Sequence, residues 1–181
     1  MASGKRRACH VLAANTRTEH SIKPILAAAE EEDTVVAIEL AKSESFDPCY
    51  TGIKPSELNE LTQEFEKEVG DPMYFLHQDH NTYGREGATE EEWEKTIEFR
   101  DAGVDNGYTS FSVDASYLEM EDNIEAAKKL AKPLYDEGFA LEVEVGEVKC
   151  EEEITTVDES LYFVEKVQDA GSERDLLGIS K

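Results

Sequence analysis

Apolar positions along the chain alternate between two periods. Val11 to Ala14 is a short apolar run; polar Asn15 to Thr18 follows, then Ile22, Ile25, Leu26 and Ala29 at helical spacing, which predicts a strand leading into a helix. The pattern repeats. Val35 to Leu40 is rich in β-branched residues and predicts a second strand, then a loop through Asp47-Pro48 and a helix from Pro55 to Val69, where proline suits a first turn that needs no N–H. Met73 to His77 predicts a third strand, with a polar loop through Gly84 and Gly87 and a helix to about Ala102 opened by the capping-box-like Thr89-Glu90-Glu91-Glu92. Thr109 to Val113 and a helix from about Met120 to Tyr135 form a fourth unit. Ala140 to Val145 and a helix from about Asp158 to Val167 form a fifth, and Asp175 to Ile179 reads as the opening of a sixth strand.

Strands alternating with helices of this length imply an α/β fold with a parallel sheet and right-handed crossovers, either doubly wound or a barrel. The unusual polar residues gather at C-terminal strand ends: Asn15, His77 to His80, Asp114 with Ser116, and Glu142 with Glu144. A (β/α)8 barrel concentrates its chemistry at that end. A doubly wound sheet also binds ligands at strand ends, often with a glycine-rich phosphate turn, but no G-x-G-x-x-G or P-loop sequence is present.

Composition narrows the function classes. The 181 residues are short of the roughly 250 of a complete eight-fold barrel. Hydrophobic residues make up 39%, enough for a packed core. With 42 Asp+Glu against 18 Lys+Arg, the formal charge of -24 repels polyanions and argues against nucleic acid or an anionic membrane as partner. A salt-adapted cytoplasm is one source of such acidity; a generic acidic surface is the simpler one. Cys9, Cys49 and Cys150 are odd in number and lie in no C-x-x-C spacing, which fits a reducing, cytoplasmic compartment rather than a disulfide framework or a zinc cage. Lys5-Arg6-Arg7 before Ala8 to Ala14 looks superficially like a signal peptide, but His10 interrupts the short apolar run. No stretch approaches 18 apolar residues, so no membrane-spanning helix is expected.

The densest chemistry is His77-Gln78-Asp79-His80 after the third apolar run. Two imidazoles and a carboxylate in four positions suit a divalent metal with a neighbouring proton-transfer group; two histidines on a surface loop are the bland alternative. Glu142 and Glu144 share one strand face while Leu141, Val143 and Val145 take the other, so the acids face either solvent or a barrel interior. Asp114 closes its strand, where capping the next helix is the competing role.

Taken in order, these segments resemble the class II, metal-dependent fructose-bisphosphate or ketose-bisphosphate aldolase family. The resemblance rests on Ala14-Asn15, on Leu76-His77-Gln78-Asp79-His80, on Gly107-Tyr108-Thr109-Ser110-Phe111-Ser112-Val113-Asp114-Ala115-Ser116, on Asn123-Ile124, and on Glu142-Val143-Glu144-Val145-Gly146, from about Val11 to Ile179. It implies a TIM (β/α)8-type barrel, here incomplete, and a zinc-dependent (or other divalent-metal) lyase of glycolysis and gluconeogenesis. By the same resemblance, Asp79 is the catalytic acid/base and His80 a ligand of the catalytic zinc. Asp114 and Glu144 serve an additional metal position, with His77 and Glu142 in support. The implied substrate is a small sugar phosphate.

The sequence departs from that pattern in three places. Glu147-Val148-Lys149-Cys150-Glu151-Glu152-Glu153 stands where a glycine-rich flap is common, and Ala41-Lys42 where a serine is common. The family's other two zinc histidines come from the sixth and seventh strands, beyond Ile179, and neither His10, ahead of the first strand, nor His20, at a helix start, is placed to substitute. Residues 1–181 are therefore expected to form one partial barrel domain, truncated or split before its remaining strands and inactive alone. A homo-oligomer or a complementing C-terminal chain is the expected partner. The alternative is a non-catalytic metal- or sugar-phosphate-binding half-barrel acting with a partner chain.

Overall fold

The computed structural model describes residues 11–45, 51–146, 155–168 and 176–178. The predicted loop at Asp47-Pro48, the flap segment Glu147 to Glu153, the N-terminal basic run, His10 and all three cysteines lie outside the described residues.

Among the described residues, six strands and six helices follow one another much as the hydrophobic pattern requires, with two helices between the second and third strands. They are β1 (Leu12–Asn15), α1 (Glu19–Glu31), β2 (Val36–Ala41), α2 (Lys42–Ser45), α3 (Pro55–Val69), β3 (Tyr74–Thr82), α4 (Glu90–Asp105), β4 (Ser110–Asp114), α5 (Met120–Asp136), β5 (Ala140–Glu144), α6 (Val157–Gln168) and β6 (Leu176–Gly178). Every neighbouring pair is parallel, and the strand order is β1-β2-β3-β4-β5-β6. A doubly wound sheet reverses its order at a switch point, whereas a barrel adds each strand to the same side of the last. The monotonic order is thus that of an incomplete TIM-type barrel, with β1 and β6 as its edges among the described residues.

The helix-facing layer holds the core. Phe111 and Val113 of β4 and Leu141 and Val143 of β5 are fully buried with Ile38 and Leu40 of β2, against Ile22, Leu26, Ile124, Leu134 and Phe163 of the helices. Alternation then puts Ser110, Ser112 and Asp114 of β4, and Glu142 and Glu144 of β5, on the opposite, inner face. Gly103 permits a close approach of α4 to the sheet, because a Cβ there would lie 2.7 Å from Gln78 Cδ and 2.9 Å from Phe111 Cε1.

Two local features differ from the sequence expectation. The third strand does not end at His77 but runs to Thr82, so the polar cluster lies within a strand rather than in the loop after it. Pairing continues through a bulge: Gln78 lies opposite Phe111 and Asn81 opposite Val113, leaving Asp79 and His80 to face Ser112 alone. At the start of α4, Thr89 accepts the Glu92 N–H as expected, at 3.1 Å. The Glu92 carboxylate, however, reaches past the cap to the backbone N–H groups of Glu86 and Ala88, tying down the preceding loop.

Candidate functional site

The bulge in β3 aims the site. His80, at its centre, has φ of 42°, a left-handed conformation that a non-glycine residue adopts only under local constraint. That turn brings the imidazole across β4 to β5. His80 Nδ1 lies 2.8 Å from Glu144 Oε1 and 3.3 Å from Asp114 Oδ2, while Nε2 lies 3.8 Å from Asp79 Oδ1. The ligand atoms offered by His80, Asp114 and Glu144 all fall within 4.8 Å of one another. One nitrogen and two carboxylate oxygens at this separation suit zinc or another divalent cation. Donors that the resemblance assigns to two metal positions therefore converge on one centre.

Each donor is held from behind. Asp114 does not cap α5, whose N-cap is Glu119; its Oδ1 accepts the Ser116 N–H at 3.0 Å and hydroxyl at 2.6 Å, and Oδ2 accepts Thr82 Oγ1–H at 3.2 Å. The end of β5 is pinned by Asn123 of α5, fully buried, whose Nδ2 donates to the carbonyls of Glu144 and Val145 at 3.1 and 2.9 Å. The Asn123 motif thus positions the strand that carries Glu144.

Charge sets the protonation pattern. Hydrogen bonds to Asp114 and Glu144 raise His80 to about 11 against the opposing effect of burial. Burial pushes Asp114 up, but hydrogen bonds from His80 and Ser116 outweigh it and leave that carboxyl below the usual range. Asp79 is raised, first by burial and then by Glu144 and Glu44, with His80 opposing. Such a carboxyl can hold and release a proton, the property an acid/base group needs.

Beneath this centre lies a second polar layer. His77, 2% exposed, shares a 2.7 Å hydrogen bond between Nδ1 and Ser110 Oγ, and its Nε2 is 3.6 Å from Glu142 Oε2. Burial, aided by the charge of His80, lowers His77 to about 4, so the ring is neutral at pH 7. Burial raises Glu142, with Glu144 and Asp79 adding to the effect. Glu39 of β2, not singled out from the sequence, is raised to about 7 by burial and by Asp79 and Glu142. Its signal was a lone acid in the apolar run Val36-Ala37-Ile38-Glu39-Leu40.

An open cleft of about 370 Å³ lies over the strand ends, lined by Asn15, Asp79, His80, Asp114 and Glu144 together with Arg17, Glu44 and Arg85. Sequence reading placed Arg17 and Arg85 only in polar loops. Lys42 turns away from this cleft, donating to the Thr82 carbonyl and Thr96 Oγ1, each at 2.7 Å, and burial lowers it to about 8. His20 is solvated at the start of α1, as expected, with 88% of its side chain exposed.

Comparisons with known proteins agree with the barrel fold. The family described as "Fructose-bisphosphate aldolase class-II" matches residues 1–180. A fructose-bisphosphate aldolase of Staphylococcus epidermidis is 34% identical over 59 residues, 33% of this chain and 21% of that protein. The corresponding protein of Helicobacter pylori is 33% identical over 84 residues, 46% of this chain and 23% of that one. The solved YdjI aldolase of Escherichia coli superposes with a TM-score of 0.66 at 19% identity, covering 94% of this chain and 53% of that one. A fructose-bisphosphate aldolase of Campylobacter jejuni gives 0.66 at 18% identity, covering 92% and 51%. The chain thus spans about half the length of these solved structures. Among the described residues no helix is long and apolar enough to cross a membrane.

Proposed function

The chain belongs to the class-II fructose-bisphosphate aldolase family, and from that premise we propose that it carries part of the active site of a metal-dependent aldolase. The reaction is cleavage or condensation of a ketose phosphate, such as fructose 1,6-bisphosphate, with dihydroxyacetone phosphate and an aldehyde as the other side. The convergence of His80, Asp114 and Glu144 within 4.8 Å carries this reading. These three residues would hold the cation. When bound, a divalent metal such as zinc supplies Lewis acidity to a carbonyl and hydroxyl oxygen pair.

Asp79 is the proposed acid/base, supported by its place beside His80 and by its raised carboxyl. In cleavage it takes the proton from the hydroxyl that becomes the aldehyde oxygen; in condensation it returns that proton. His77 and Glu142 support the floor beneath, and Asn123 fixes the strand bearing Glu144. Residues 1–181 act as one partial barrel domain in the cytoplasm, in a homo-oligomer or with a complementing chain as partner.

In the completed enzyme, release of dihydroxyacetone phosphate from fructose 1,6-bisphosphate, followed in a coupled assay, is expected to fall at least about 100-fold for Asp79→Asn with zinc content unchanged. Full activity in that variant would remove the assigned role. A second reading, a non-catalytic metal- or sugar-phosphate-binding half-barrel, is favoured by one observation: His80 is the sole imidazole lining the cleft among the described residues. Metal analysis and mass measurement on the pure chain decide it. A metal-free monomer that binds no sugar phosphate would eliminate the second reading.

A further inference from the structure

Arg17 and Arg85 are the lysine or arginine residues lining the cleft among the described residues, and each is organised by a buried glutamate. Behind Arg17, the Thr16 N–H and hydroxyl both donate to the Glu39 carbonyl at 3.0 Å, fixing the backbone at the end of β1. Arg17 Nε donates to Glu44 Oε1 at 2.9 Å, and Glu44 Oε2 accepts the Ala41 N–H at 3.1 Å. The Glu44 side chain is 2% exposed and that of Arg17 67%. The carboxylate therefore grips the inner edge of the guanidinium and leaves the Nη edge outside.

Arg85 enters from the loop after β3. Its guanidinium stands 5.9 Å from the centroid of the Tyr117 ring. The two oxygens of Glu92, 5% exposed, accept the Glu86 and Ala88 N–H groups at 3.1 Å each, so the loop carrying Arg85 is tied on both sides of its turn. Neither arginine donates an Nη hydrogen bond to protein among the described residues.

We propose that Arg17 and Arg85 form the clamp that holds a phosphate group of the ketose phosphate in this cleft. This rests on reading the cleft as the aldolase's substrate site. A guanidinium presents a planar fork of N–H donors that matches two phosphate oxygens, a geometry an ammonium lacks. Holding each arginine beforehand lowers the ordering cost of binding. In a chain of charge -24, a cleft bearing Asp79, Asp114 and Glu144 repels a phosphate dianion unless local cations offset the field.

Calorimetric titration of the full chain, with zinc present, against inorganic phosphate, dihydroxyacetone phosphate and unphosphorylated dihydroxyacetone tests the clamp. Wild type should bind both phosphates and not the free ketose. Arg17→Ala and Arg85→Ala should each weaken phosphate binding about tenfold or more, with circular dichroism unchanged. Arg17→Lys, which keeps the charge and the Glu44 pair, should recover part of the loss and guards against misfolding of the alanine variant. Failure of wild type to bind either phosphate, or weakening confined to one arginine or to neither, overturns the clamp. Arginine-dependent phosphate binding in a chain that takes up no zinc would leave the clamp standing and remove the aldolase reading; zinc uptake with arginine-independent binding would do the reverse.

Discussion

Substituting Gly103 by alanine places one methyl group in the seam between α4 and strands β3 and β4. Its Cβ would lie 2.7 Å from Gln78 Cδ and 2.9 Å from Phe111 Cε1, with Gln78 Nε2 closer still. Neither neighbour is free to yield. Gln78 is fully buried and donates to the Phe99 carbonyl, and Phe111 packs edge-on against Phe139 at 5.1 Å between centroids. Overpacking of this kind costs roughly 1–3 kcal/mol. Breaking the Gln78 hydrogen bond would add roughly 1–3 kcal/mol for the unpaired buried groups. Alanine's helix preference over glycine returns about 1 kcal/mol. The expected net loss is about 3 kcal/mol, and at roughly 2–4 °C per kcal/mol the Tm should fall by roughly 6–12 °C. Thermal and denaturant unfolding followed by far-UV circular dichroism measure it. Coupling to Gln78→Ala supplies a further check, since truncating Gln78 relieves the clash and the pair should lose less than the sum. A Gly103→Ala protein as stable as wild type would refute this packing of α4.

Glu39→Gln tests the second polar layer. The folded carboxyl titrates near 7 and the unfolded one near 4.5, so the folded state binds more protons between them and loses stability as pH rises through that window. The glutamine variant carries no such penalty. Discounted for solvent screening of this half-buried group, the difference should favour the variant by roughly 2 kcal/mol at pH 8 and vanish near pH 4.5, as read from denaturant midpoints; a pH-independent difference would contradict the assignment. Thr89→Ala removes the acceptor of the Glu92 N–H at 3.1 Å and should lower stability by about 1 kcal/mol, with Thr89→Ser near wild type.

Much of the architecture was legible because helix and strand periods differ and proline punctuates. Pro55 and Val69 bound α3 as the pattern indicates, and the five units with a sixth strand stand in order. The continuation of β3 was not legible, because Gln78 to Thr82 is polar and an interior barrel strand need not be apolar on its inner face. The left-handed turn at His80 has no sequence signal, since histidine does not demand it as glycine would. At the site, His80, Asp114 and Glu144 were named from motifs, whereas their convergence needs the bulge and the parallel register of β3, β4 and β5. Glu39, Arg17 and Arg85 escaped notice because lone charged residues in a chain of 42 acids and 18 bases carry little weight until the fold gathers them.

Equilibrium dialysis against zinc, with His80→Ala, Asp114→Asn and Glu144→Gln beside wild type, bears most directly on the site. Binding needs a neutral imidazole, and His80 is raised to about 11 by its carboxylate partners, so affinity should strengthen as pH rises and the proton yields its nitrogen. The expected result is saturable uptake by the wild-type chain that each substitution weakens at least about tenfold. No uptake by wild type, or uptake indifferent to all three substitutions, would contradict the metal centre.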